Sequence, residues 1–338
     1  MSNSLKATII KALRLAVLFI TPAAFCAYAD PDMLEADQSN VQSWLSNLEG
    51  TQLSIGDYVH SFGEGLDRFF GSDELEITGK RNKLKVYLPL TWYQGGRTDS
   101  DINFKLQIDL PRTNHRWKLF LSSFSESEET GELPNTLRQP ASQTRATDES
   151  LNQVGARYLF EASKNRLSYI ESGLKLSRIV KPNPFVKYRE RYKTQLDDQL
   201  ESRTQQTVYL EADRGLALEF EQIFDFKIEH DNLIRGDSRL TWWRQDHQVL
   251  INQRFIHFSK VSPLRARAIY VSGNWLADNQ SIDFDYVDLA VNWRQRIYKD
   301  WLYAELEPKV TWYDEQNKLS QPQYSLLFQL EMHFYKVS

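Results

Sequence analysis

The chain has 338 residues and a single cysteine, Cys26. That scarcity excludes a disulfide framework and a cysteine-based zinc site. No Walker loop, no His-Glu-x-x-His pair and no Cys/His metal cluster occurs, so no metal and no cofactor is expected. No stretch beyond the first 29 residues holds 18 successive apolar residues, which excludes a membrane-spanning helix. The formal net charge is −4, which argues against a nucleic-acid partner.

The N-terminus supplies an address. Lys6, Lys11 and Arg14 form a basic stretch with no acid before Asp30. An apolar run from Leu15 to Phe25 follows, then Ala27-Tyr28-Ala29, small residues at the −3 and −1 positions of a cleavage site. This is the pattern of a secretory signal peptide, 1–29. Its removal near Ala29 would take Cys26 with it and bring the net charge to −7.

Two periodicities divide the remainder. Within 30–75, Val41, Trp44, Leu45 and Leu48 fall on one helical face, and Ile55, Val59, Phe62, Leu66 and Phe69 continue it. This predicts a helical segment, either periplasmic or plugging a lumen. From residue 83 the period becomes two. Leu84, Val86, Leu88, Leu90 and Trp92 alternate with Lys83, Lys85, Tyr87, Pro89 and Thr91. The end of the chain repeats the pattern with Leu326, Phe328, Leu330, Met332 and Phe334. Fourteen candidate strands follow between 83 and 336, or 12 if a weak pair merges. Pro89 and Pro308 inside such runs suggest bulges or strand ends.

Most runs hold about 10 to 14 residues, against about 9–11 for a tilted membrane strand and about 5–6 for an ordinary soluble one. Trp92, Trp117, Trp242, Trp293 and Trp312 stand at or near strand ends, where interfacial girdles need amphipathic rings. The fold expected is therefore all-β: an antiparallel transmembrane barrel, 76–338, preceded by the helical segment 30–75. A soluble β-sandwich is the rival reading. Barrel termini normally lie in the periplasm, beside the short turns. That places Tyr298-Lys299-Asp300 and Ser163-Lys164-Asn165 inside the cell envelope and the long loop 125–149 outside. Glu126, Glu128, Glu129 and Glu132 of that loop lack the ligand spacing of a calcium site.

Charged residues recur in phase on these strands. Lys187, Arg189, Arg191 and Lys193 share one face of one strand; Arg235 with Arg239 and Arg294 with Arg296 repeat the arrangement. Glu211, Asp213, Glu219, Glu221, Asp225, Glu305 and Glu307 are the acidic counterparts. Facing a wet lumen, such staves would select ions, with basic groups outnumbering acidic ones and a weak anion preference. Facing one another, they would pair across strands and fill the barrel.

The ending LLFQLEMHF resembles the C-terminal strand of Gram-negative outer-membrane β-barrels, although Tyr335-Lys336-Val337-Ser338 follow the aromatic. The resemblance implies an outer-membrane location, recognition by the barrel-assembly machinery, and contact with outer-membrane lipid and lipopolysaccharide. RQRIYKDWLYAELEPKVTW, 294–312, resembles the last hairpin of an uncharacterised proteobacterial barrel family, which brings no activity with it. His257 and Ser259, two apart in IHFSK, resemble the His-x-Ser of the outer-membrane phospholipase, with His257 as base, Ser259 as nucleophile and Asn274 as a loose third member. Three functions stay open: a porin-like channel, a structural or interaction barrel engaging a periplasmic protein through 30–75, and an enzyme modifying envelope lipid or lipopolysaccharide.

Overall fold

Period-two alternation leaves each strand with two chemically different faces, and pairing in register carries both faces from one strand to the next. The structure, a computed structural model, describes residues 82–335 apart from 111–112, 115, 124–151, 164, 177–181, 229–231, 246, 279–280, 300 and 316–317. The expected signal peptide 1–29, the expected helical segment 30–75 and the segment 125–149 lie outside the described residues.

The strands are β1 (Lys83–Tyr93), β2 (Thr98–Ser100), β3 (Asn103–Asp109), β4 (Trp117–Ser122), β5 (Asn152–Ala162), β6 (Arg166–Leu176), β7 (Pro182–Gln195) and β8 (Leu200–Glu211). They continue with β9 (Gly215–Ile228), β10 (Asn232–Trp243), β11 (Gln248–Ser262), β12 (Arg265–Ala277), β13 (Ile282–Tyr298), β14 (Leu302–Tyr313) and β15 (Gln323–Tyr335). From β3 to β15 each pairs antiparallel with the next in sequence, and β15 pairs with β1 from Lys83↔Tyr335 to Tyr93↔Ser325. The sheet is thus closed. Both β2 and β3 pair with β1, at Leu90↔Ser100 and Tyr87↔Asn103, so they are two parts of one stave. The barrel has 14 staves.

The two prolines mark gaps in ladders, not bulges. Opposite Leu88 and Pro89 the β1 ladder lapses, which is what divides β2 from β3. On β14 the pairing with β13 lapses between Lys309 and Leu306, around Pro308, with the register unchanged on either side. A proline nitrogen has no hydrogen to donate, so a ladder fails there without the strand turning aside. The bulges occur elsewhere, at 159/161, 260/262, 274/275 and 296/298.

The side chains are arranged opposite to those of a water-soluble domain. On β7, Lys187 and Arg189 are buried, while Val186 and Tyr188 between them are exposed. On β9, Glu219, Glu221 and Asp225 are buried, while Leu218, Phe220, Phe224 and Phe226 are exposed. On β6–β11 and on β13 most charged side chains point inward and most apolar ones outward, whereas β12 turns Ala268 and Tyr270 inward. Nearer the seam the outward Leu302, Ala304, Phe328 and Leu330 are themselves buried, and no described strand lies over them.

Two glycines set the wall's curvature on the inside. Gly155 of β5 faces Gly173 of β6. A Cβ on Gly155 would lie 2.3 Å from the Ser172 carbonyl oxygen, and one on Gly173 2.2 Å from that of Val154. Only glycine permits that approach, and the rings of Phe120 and Phe185 stand on either side of the pair.

Candidate functional site: the charged interior wall

The inward phase brings most of the charges singled out in the sequence onto one wall, where they pair in a series of clusters. Glu171 on β6 receives Arg157 from β5 and Lys187 from β7, and all three side chains are buried. The Tyr169 ring packs beneath them, 4.5 Å from the Arg157 guanidinium and 5.9 Å from that of Arg189. Arg189 donates to Thr207 Oγ1 at 3.1 Å and to the Tyr209 hydroxyl at 3.3 Å, and lies 3.9 Å from Glu219. Arg191 and Lys193 continue the ladder on the same phase, and Lys193 pairs with Glu201 at 2.7 Å.

The next sector repeats the device, again with two cations on one carboxylate. Arg235 on β10 grips both oxygens of Asp225 on β9, at 2.5 and 2.7 Å, and Arg203 lies 3.6 Å from the same carboxylate. Arg239 pairs with Glu221, which also accepts from Gln205 at 3.1 Å. Arg254 of β11 reaches Asp237 at 3.2 Å. A two-point guanidinium–carboxylate contact fixes direction as well as distance, so these side chains are held against the wall.

Across the seam, Arg294 of β13 bridges Glu305 on β14 and Glu331 on β15, the latter at 2.6 Å. Lys85 of β1 reaches Glu331 from the other side at 3.5 Å. One carboxylate therefore ties together staves from both ends of the barrel. Glu307 accepts from the Tyr270 hydroxyl at 3.0 Å and from Asn292 at 3.2 Å. Arg296 lies at the bulge that ends β13, opposite Tyr303. Among the described residues Ile256, Ala268, Tyr270 and Ala290 form an apolar island on this same wall.

Three of the residues singled out fall elsewhere. Glu211 is buried and paired with Lys175, but Asp213 is exposed in the turn after β8, where Asn183 donates to it. Alternation stops at the strand end, so Asp213 belongs to the rim and not to the wall. His257 and Ser259 share the outward phase of β11, opposite Ile234 and Asn232. Asn274 points inward and donor–acceptor pairs with Asn252 at 2.7 Å. The wall itself separates Asn274 from His257, because the two have opposite parity. No triad is assembled from these three.

The five tryptophans all take the outward phase. Trp92, Trp242 and Trp312 lie toward the ends of β1, β10 and β14 remote from the Lys83–Tyr335 pair, and Trp117 and Trp293 toward the other end. Trp117 is tilted against Tyr158 at 5.1 Å.

Sequence reasoning misses Arg157, Glu171, Glu201, Arg203, Asp237, Arg254, Asp288 and Glu331. Each lies on the inward phase of its own strand, so the alternation that identifies the β7 ladder can identify them too. They stand out less because each is flanked by fewer like charges.

The chain matches no protein-family model and no curated protein sequence. Among solved structures it aligns with the outer membrane protein OmpT of Vibrio cholerae at 8% identity and a TM-score of 0.46, over 77% of this chain and 99% of that one. It aligns with the outer membrane channel DcaP of Acinetobacter baumannii at 9% identity and a TM-score of 0.46, over 75% of this chain and 97% of that one. The NanC porin aligns at 7% identity and a TM-score of 0.37, over 73% and 98%.

Proposed function

We propose that this chain is an outer-membrane β-barrel of a Gram-negative bacterium, with the chain termini on the periplasmic side and a porin-like, charge-lined interior. The observation that carries the reading is the inversion of the wall. A band of exposed Val, Leu, Ile and Phe runs from β6 to β13 around buried Arg, Lys, Asp and Glu. Soluble proteins rarely expose apolar patches beyond a few hundred Å², whereas lipid accepts such a band. Closure supports it further, since hydrocarbon satisfies no unpaired backbone group.

A channel would pass small polar or ionic solutes along the charged wall. Its selectivity would follow the inward charges that solvent reaches most easily, and Arg191 is half-buried where Lys187 and Arg189 beside it are buried. Purified protein in planar bilayers is expected to give discrete current steps with weak anion preference. Arg191→Glu is expected to move the reversal potential toward cations. The shift should shrink at high salt, as the Debye length falls from about 10 Å at 0.1 M to about 3 Å at 1 M.

A second reading has its own observation: among the described residues the paired interior charges are largely inaccessible, Glu171 and Glu305 at 0% and Arg189 at 1%. Such a wall serves a closed structural or interaction barrel equally well. The absence of current steps from heat-modifiable, membrane-inserted protein would select it over the channel.

A further inference from the structure

The outward face of β8–β11 carries a row at mid-strand that does not suit lipid. On β9 that face reads Leu216, Leu218, Phe220, Gln222, Phe224, Phe226 and Ile228, with a glutamine between two apolar triplets. Register carries the exception sideways. Gln222 pairs with Thr204 of β8 and with Ser238 of β10. Ser238 pairs with Gln253 of β11, and Gln253 with Gly273 of β12. Thr204 donates to the Gln222 carbonyl oxygen at 2.7 Å, Gln222 donates to Ser202 Oγ at 2.9 Å, and Ser238 donates to the Gln253 carbonyl oxygen. Aromatic and aliphatic residues border the row, with Phe220, Phe224, Leu240 and Phe255 all 40% or more exposed.

From this we infer that the outer face of β8–β11 is the contact surface for a second copy of this chain within the membrane. The inference rests on the reading of the outer face as lipid-facing. Three features select this occupant. First, the row contains only hydroxyls and carboxamides, with no charge. A carboxamide both donates and accepts, so the row can hydrogen-bond to itself, as an isologous interface requires. Second, Gly236 and Ser238 keep its middle low between the bordering side chains, while the Trp275 ring covers Gly273 at the edge of the row. A Cβ on Gly236 would meet nothing nearer than the Phe255 ring at 3.7 Å. Small residues in membrane interfaces let backbones approach. Third, barrels insert in one orientation, so a two-fold axis must lie along the membrane normal. Staves tilt by about 35–45°, so a row perpendicular to them runs diagonally through the bilayer. Two such rows related by that axis cross at mid-depth, where Gln222 and Ser238 stand at the centres of β9 and β10.

The test is disulfide cross-linking in native membranes, in full-length chain carrying Cys26→Ser. Ser238→Cys is expected to give a product of twice the chain mass. Its yield should exceed that of Leu289→Cys, on the outer face of β13, by about tenfold or more, because partners held in contact meet at a high effective concentration. Gln222→Leu combined with Gln253→Leu in the Ser238→Cys chain should abolish that product while the barrel keeps its heat-modifiable mobility. Equal yields from Ser238→Cys and Leu289→Cys, or a product of any other mass, would overturn the proposal. So would an undiminished dimer in the Gln-to-Leu variant. A chain recovered outside the membrane fraction would instead sink the lipid-facing reading on which it rests.

Discussion

The inner and outer faces of the wall are built from the same strands, one residue out of phase, yet they meet opposite physical demands. The inner face gathers ions and must satisfy them mutually. Arg235 with Asp225, and Arg294 with Glu305 and Glu331, do so across neighbouring staves. The outer face gathers apolar groups and, on the lipid-facing reading proposed above, requires that few polar groups be stranded in oil. A fault on the inside leaves a buried charge without its partner. On that same reading, a fault on the outside leaves a charge in hydrocarbon that can still reach toward the interface. Adjacent side chains of one strand therefore owe their stabilities to different physical terms.

The largest effect is expected inside. Arg235→Met leaves the Asp225 carboxylate in a buried site with only Arg203 nearby, and should cost about 3–5 kcal/mol in denaturant unfolding of the folded barrel. Arg235→Met combined with Asp225→Leu should recover most of that loss, because an apolar pair of similar volume removes both desolvation costs. A double variant as unstable as the single one would show that more than the pair is at stake.

On the outer face, Leu289→Arg should cost about 2–4 kcal/mol in a bilayer and much less in loosely packed detergent. Equal losses in both media would mean that Leu289 does not face lipid.

The glycines contrast the two faces at smaller scale. Gly173→Ala, whose Cβ would fall 2.2 Å from a backbone oxygen, should cost about 1–3 kcal/mol through forced separation of β5 and β6. Gly236→Ala, on the outer face, where the added Cβ would meet the Phe255 ring at an ordinary contact distance of 3.7 Å, should change stability by less than about 0.5 kcal/mol. The two variants, unfolded under one set of conditions, test whether curvature is held from the inside.

The smallest effect is expected for Ser259→Ala, within about 0.5 kcal/mol in stability and with no change in membrane lipid composition, because Asn274 lies on the other side of the wall from His257. Altered lipid composition in that variant would restore the enzymatic reading.

Much of this architecture is legible in the amino-acid sequence. The 14 staves, their approximate limits and the ladder Lys187, Arg189, Arg191 and Lys193 follow from period-two alternation along the chain. Asp213 is misplaced by that reading because alternation carries no information beyond the last paired residue. Pro89 and Pro308 suggest bulges or strand ends in the sequence, yet each interrupts a single ladder while its strand continues. The polar row Thr204–Gln222–Ser238–Gln253 is invisible along the chain because its members lie on four different strands. Each looks like an isolated exception until the register aligns them.

Parity is local to the chain and needs no partner, so the order of residues alone gives most strands one polar or ionic face and one apolar face. It also gives strand length, since each apolar run ends where turn residues begin. Which charge meets which is a property of the closed sheet. Lys85 and Glu331 are 246 residues apart, and their contact depends on closure of β15 onto β1 in one register. Register is set by the fit of all 14 staves around the ring, and a slip of one residue would turn the charged face outward. That constraint acts on the ring as a whole and is written in no single strand.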